Sequence, residues 1–82
     1  MNLCFFTGKI ETDIKFKFII NNKNISIATF KIKLNNNNSI NVKAYNEMAD
    51  WCYQKLVKND LVTIQGRLDN KMEIIIEDCN YL

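Results

Sequence analysis

Apolar and polar residues alternate most regularly between positions 25 and 45. Ala28, Phe30, Ile32 and Leu34 fall on one side of an extended chain, with Thr29, Lys31 and Lys33 on the other. After four consecutive asparagines, at 35–38, Ile40, Val42 and Ala44 alternate with Asn41, Lys43 and Tyr45. A period of two belongs to strands with one buried face. The pattern predicts an antiparallel pair, 25–34 and 39–45, joined by the asparagine loop.

The same reading extends in both directions. Residues 4–10 and 14–20 read as one long, broken first strand, with Gly8 expected to mark a bend. In its second part Phe16 and Phe18 alternate with Lys15 and Lys17. Residues 21–24 read as a turn, because asparagine tolerates left-handed backbone. From Asn46 the period changes. Ala49, Cys52, Tyr53 and Leu56 lie at i, i+3, i+4 and i+7, the apolar stripe of a helix. Asn46 is the expected N-cap, Glu47 suits the first turn, and Asn59 suits a left-handed C-terminal position. A fourth strand covers 61–68, with Gly66 as a second bend. Asp69-Asn70 suits a two-residue hairpin, and the fifth strand covers 72–82. Its Ile74-Ile75-Ile76 run predicts burial on both faces, with another subunit able to supply part of it. Phe5, Phe6, Phe16 and Phe30 are expected in the core. The order β-β-β-α-β-β, in one domain spanning 1–82, is that of the OB-fold. That fold is all-β: a five-stranded Greek-key barrel with one helix between strands 3 and 4.

Length, 82 residues, allows an adequate but thin core, since a chain of this size buries roughly 60% of its unfolded surface. No run approaches the roughly 20 apolar residues of a membrane helix. The start of the sequence lacks the basic segment of a signal peptide. Cys4, Cys52 and Cys79 are odd in number and widely spaced, which suits reduced thiols in a cytoplasm better than disulfides or a zinc site. Histidine is absent, the carboxylates are scattered, and no glycine-rich phosphate loop occurs. No catalytic residue, metal, cofactor or small-molecule substrate is therefore expected, and no membrane partner.

Charge changes the picture through its distribution. Positions 1–45 hold seven lysines against Glu11 and Asp13, whereas 46–82 hold Lys55, Lys58, Arg67 and Lys71 against seven carboxylates. Such a split predicts a sided electrostatic field that draws phosphate to one surface. Lys31, Lys33 and Lys43 share the outer face of the central pair with Tyr45. Lysine holds phosphate as a point charge, and an aromatic ring stacks on any base. The combination points to sequence-tolerant binding of single-stranded nucleic acid. Lys9, Lys17 and Arg67 are further candidates for phosphate, and Phe18 is a second aromatic that alternation could equally turn into the core. The bland readings are lysines that only solvate strand faces and a Tyr45 that packs at the barrel rim. An OB barrel can also be a protein-interaction adaptor, with Trp51 and the fifth strand docking on a partner. The lysines and Tyr45 on one face favour nucleic acid, because an adaptor does not require them together.

Six short motifs, in this order, resemble the bacterial single-stranded DNA-binding protein family. Thr7-Gly8-Lys9-Ile10 is similar to that family's Val-Gly-Arg/Asn-Leu, and the segment from Asp13 to Phe18 to its Asp-Pro-Glu-hydrophobic-Arg-Tyr. Ile27-Ala28-Thr29-Phe30 resembles Val-Ala-Thr-Phe, and Ile40-Asn41-Val42 with Tyr45 its third strand, which ends in a stacking aromatic. The segment from Leu56 to Val62 resembles Leu-x-Lys-Gly-x-x-Val, and Gln65-Gly66-Arg67-Leu68 resembles x-Gly-Arg-Leu. The resemblance implies that Lys9, Lys17 and Phe18 lie on the DNA path, that Thr29 and Lys31 line its floor, and that Tyr45 stacks a base. It also implies a homo-oligomer, dimer or tetramer, assembled partly through the first strand. Single-stranded DNA is the implied partner, RNA being open to the same contacts, in replication, recombination or repair. Some family features are missing. The loop between strands 4 and 5 is cut to Asp69-Asn70, the asparagine loop is short, and no linker with an acidic tip follows strand 5. Trp51 stands where the family has a polar residue. These departures imply a reduced member, or a primosomal-type accessory relative with weak or no nucleic-acid binding.

Overall fold

The computed structural model describes residues 3–21 and 23–82. Six strands and one helix follow in the order β1 (Leu3–Ile10), β2 (Lys15–Ile20), β3 (Asn24–Lys33), β4 (Ser39–Tyr45), α1 (Asn46–Lys55), β5 (Leu61–Leu68) and β6 (Ile74–Tyr81). β1 runs antiparallel to β5, β5 to β6, and β3 to β4, while β4 and β6 are parallel at Val42–Ile74 and Lys43–Ile75. The ring closes where Lys9 and Ile10 of β1 meet Lys33 and Ile32 of β3. Five strands thus make a closed barrel, and β2 extends it by pairing with β3, its one strand partner among the described residues.

Alternation decides what lies inside. Ala28, Phe30 and Ile32 of β3, Val42 and Ala44 of β4, Val62 and Ile64 of β5, and Ile74 and Ile76 of β6 are buried. α1 adds Ala49 and Cys52, with Leu56 just beyond its end. Tyr53, on the edge of the same stripe, stays half exposed and stacks its ring on Phe16, with centroids 4.6 Å apart. Tyr81 on β6 donates its hydroxyl to the Lys55 carbonyl, which satisfies an otherwise open acceptor of the last helical turn.

Several local expectations are corrected. At Gly8, where a bend is expected, β1 keeps unbroken register with β5, and the break in the first strand falls at 11–14, where the segments 4–10 and 14–20 predict it. There the Glu11 amide donates to the Lys31 carbonyl (2.8 Å), and the Thr12 hydroxyl oxygen accepts from the Lys31 amide (3.0 Å). Asn46 is no N-cap: Tyr45 holds that position, no side chain among the described residues caps the helix, and Asn46 itself has φ 55°. It serves by tolerating left-handed backbone. The helix ends at Lys55, and Asn59 (φ 80°) turns the chain afterwards, at the third position of a turn closed by the Asp60 amide on the Val57 carbonyl. The connection between β5 and β6 is five residues, 69–73, rather than a two-residue hairpin. Asp69 Oδ1 accepts from the amides of Lys71 and Glu73, each at 2.9 Å, and the left-handed residue is Met72 (φ 63°). An aspartate side chain that folds over its own loop outcompetes the tighter turn. Within the single chain Ile74 and Ile76 are buried, and Ile75, on the opposite face of β6, is half-buried. Phe5 is 71% exposed rather than core, because it shares the outward parity of Leu3 and Lys9. The expected turn at 21–24 includes Asn22, outside the described residues; Asn21 Oδ1 accepts from the Lys23 amide there.

Candidate nucleic-acid interface

Register brings the outward residues of β2, β3 and β4 into rows. Lys15 faces Thr29, which faces Lys43, and Lys17 faces Ile27, which faces Tyr45. Lys31 lies opposite Asn41, and Lys33 lies opposite Ser39 on one side and Lys9 on the other. Neighbouring strands sit about 4.8 Å apart, so each row places its three side chains within reach of one extended ligand. Two adjoining depressions run over these rows. One, of about 360 Å³, is walled by Thr12, Lys15, Thr29, Lys31, Asn41 and Lys43. The other, of about 350 Å³, shares Lys15, Thr29 and Lys43 and continues to Lys17 and Ile27.

Electrostatics divides the cations into two sets. Among the described residues two ion pairs form: Lys43 Nζ to Glu73 Oε1 at 3.2 Å, and Arg67 Nε to Glu77 Oε2 at 2.8 Å. The hydrogen bond to Glu73 raises the Lys43 ammonium above its ordinary pKa, so Lys43 stays charged, but with a partner. No carboxylate of the described residues lies within ion-pair distance of Lys9, Lys15, Lys17, Lys31 or Lys33. Lys9 and Lys33 even stand directly opposite each other on neighbouring strands, an arrangement that destabilises a sheet unless an anion lies between them. Thr29 and Asn41 add neutral donors beside the lysines.

No protein-family model matches the chain, and no curated protein sequence matches it. Its likeness is to solved structures. The SSB domain of a Synechococcus sp. protein superposes with a TM-score of 0.87 at 16% identity, over 99% of this chain and 96% of that one. The single-stranded DNA binding protein of Thermus aquaticus gives 0.86 at 17% identity, over 100% of this chain but 40% of that one. The mitochondrial single-stranded DNA binding protein of S. cerevisiae gives 0.76 at 18%, over 99% and 93%. This chain has their OB-fold.

On this OB barrel seven of the nine residues singled out in the sequence come together on one face: Lys9, Lys17, Thr29, Lys31, Lys33, Lys43 and Tyr45. Arg67 lies further round the barrel. It pairs across β5–β6 with Ile75, itself opposite Lys43, and its charge is taken by Glu77. Phe18 does not join the face. It has the parity of Phe16, toward α1, and is half exposed beyond the helix. Lys15 belongs to the face and was overlooked, although it shows the same alternation as Lys17. Asn41 and Thr12 belong as well. Thr12 carries no periodic signal, because it lies in the bend between β1 and β2. Trp51 is on the far side, in tilted ring contact with Tyr81. Burial pushes the Cys52 thiol up to about 12 and the Cys79 thiol to about 11, so both stay protonated at neutral pH and are poor nucleophiles. No helix among the described residues is long and apolar enough to cross a membrane.

Proposed function

We propose that this chain is a sequence-tolerant single-stranded DNA-binding protein that coats and protects exposed strand during replication, recombination or repair. The observation that carries this reading is the set of five lysines, Lys9, Lys15, Lys17, Lys31 and Lys33, that lie on one face with Tyr45 and form no ion pair among the described residues. The lysines follow the phosphates and release counterions, and the tyrosine ring stacks a base. The activity is binding, with no bond made or broken. Self-assembly through β1 completes the reading. Leu3 and Phe5 are exposed, and at Phe5, Phe6 and Thr7 the edge of β1 away from β5 has no strand partner among the described residues. An open apolar edge of this kind favours pairing with another copy.

A titration of labelled oligo-dT and of duplex, repeated across salt concentrations, tests the proposal. Binding should prefer the single strand, and its log–log salt slope should approach about 3.5 if all five lysines meet a phosphate, at about 0.7 each. Equal affinity for duplex, or no binding below high micromolar, would sink the proposal. The adaptor reading has one observation in its favour, a crevice of about 370 Å³ between α1 and β6 lined by Met48 and Trp51. It leaves the five lysines unexplained.

Lys9→Glu separates function from stability. A carboxylate opposite Lys33 replaces a repulsion with an attraction, so the fold should gain up to about 1 kcal/mol. For a domain of this size that raises the midpoint by roughly 4–8 °C at most. Binding to oligo-dT should weaken at the same time. A variant that loses both stability and binding would show that Lys9 is a structural residue.

A further inference from the structure

The two ion pairs are not scattered. One row of the barrel, read in register across β2, β3, β4, β6 and β5, runs Lys15, Thr29, Lys43, Ile75, Arg67. Its first cation forms no ion pair among the described residues, and its next two are each held by a carboxylate. Both carboxylates are placed by specific backbone features. Glu73 closes the connection between β5 and β6: its amide donates to Asp69 Oδ1 and its carbonyl accepts from the Asp69 amide, each at 2.9 Å. Glu77 is the extra residue of a β-bulge, where Gln65 pairs with Asp78 but Gly66 pairs with Ile76. Bulges re-aim side chains, and this one turns Glu77 onto Arg67.

Of the two, Glu73 lies within the proposed binding groove. It lines the same depression as Lys15, Lys31 and Lys43, and both partners of its ion pair are largely shielded, with side chains 21% and 26% exposed. A carboxylate oxygen on a lysine ammonium occupies the place that a phosphodiester oxygen would take. We infer that Glu73 is a built-in competitor for the phosphate at Lys43, so that a bound strand either displaces it or stays on the β2–β3 side of the row. This inference rests on the single-stranded DNA reading of the face and adds to it a residue that limits affinity and sets the edge of the path.

The competitor has a signature that a general change of charge lacks. In the wild type Lys43 adds little to binding, because its charge is already spent on Glu73. Once Glu73 is neutralised, Lys43 becomes a sixth phosphate contact. Glu73→Gln keeps the backbone bonds to Asp69 and should shift the thermal midpoint by no more than about 5 °C, as expected for a partly exposed pair. Oligo-dT should bind it about threefold to tenfold more tightly near physiological salt, with the log–log slope steeper by about 0.7. Lys43→Gln alone should cost less than about twofold, yet in the Glu73→Gln background it should erase the gain, a coupling read from the double-mutant cycle. A wild type that binds oligo-dT while Glu73→Gln binds no more tightly overturns the competitor and leaves the function standing. A gain that survives Lys43→Gln overturns it too, since the carboxylate would then act at long range. A wild type that does not bind single strand overturns both readings.

Discussion

Gly66→Ala should produce the largest loss of stability of any single methyl group added to this chain. The glycine sits in β5, opposite Cys4 of β1 and Ile76 of β6. A Cβ there would lie 2.5 Å from the Ile75 carbonyl oxygen, 2.7 Å from Ile74 Cγ2 and 3.2 Å from the Ile75 carbonyl carbon. Two of these atoms are backbone, so rotamer changes cannot relieve the clash. The strand has to move, at the site where a bulge already bends β6. Overpacking of this kind costs roughly 1–3 kcal/mol, and a displaced ladder belongs at the upper end. At about 4–8 °C per kcal/mol for a domain of this size, the midpoint should fall by about 10–20 °C. Urea denaturation read through Trp51 fluorescence, beside a thermal melt, checks it. An unchanged midpoint would show that β5 and β6 slide freely past each other at the bulge.

The other glycine works in the same way. A Cβ on Gly8 would run into Ile32 Cγ2 and come within 2.7 Å of the Lys33 carbonyl oxygen. Neither glycine has positive φ, so both are required by close approach and not by backbone freedom. Gly66 lies on the seam between β5 and β6, and Gly8 on the seam where β1 meets β3 to close the ring. The sequence marks both as irregular points in strands, and that much was legible. It also places the strand break between 10 and 14, where Thr12 and Glu11 bond to Lys31, whereas the bend expected at Gly8 leaves the β1–β5 register unbroken.

Legibility followed the range of the interaction. Parity within a strand is set by the next residue, so the buried set Ala28, Phe30, Ile32, Val42 and Ala44 could be read from alternation, and with it the outward lysines. The helix stripe could be read likewise, apart from Tyr53, whose ring finds Phe16 on a strand far away in sequence. Loop chemistry was less visible. Asp69 bonds to residues two and four positions on, and nothing in the periodicity shows that a side chain will close the turn. Least visible were the carboxylates. The basic and acidic halves looked separable along the chain, but barrel closure folds the second half back beside the first. Glu73 therefore meets Lys43, and Glu77 holds Arg67. The lysine face is narrower than the charge split alone implied, and it is centred on β2 and β3.

Tyr45 should carry the largest single share of binding on that face. It is the last residue of β4, extended at φ −124° and ψ 147°, and buried Ala44 beside it forces its side chain outward. The residue is 38% exposed and stands across from Ile27, with Lys17 next in the row. A base stacked on the ring would lie next to a lysine able to hold its phosphate. Base–aromatic stacking is worth about 1–3 kcal/mol, so Tyr45→Ala should weaken oligo-dT binding by about 5-fold to 150-fold. The ring also packs against the barrel, and alanine alone would mix the two effects. Tyr45→Leu separates them, since leucine restores apolar contact without a flat face. It should keep the thermal midpoint within a few degrees of wild type and lose as much binding as alanine. Tyr45→Phe should restore binding to within about twofold, because the stack needs the ring and not the hydroxyl. The salt slope should stay unchanged in all three, since no phosphate contact is removed. A leucine variant that binds as well as tyrosine would make Tyr45 a packing residue and leave the lysines to hold the strand alone.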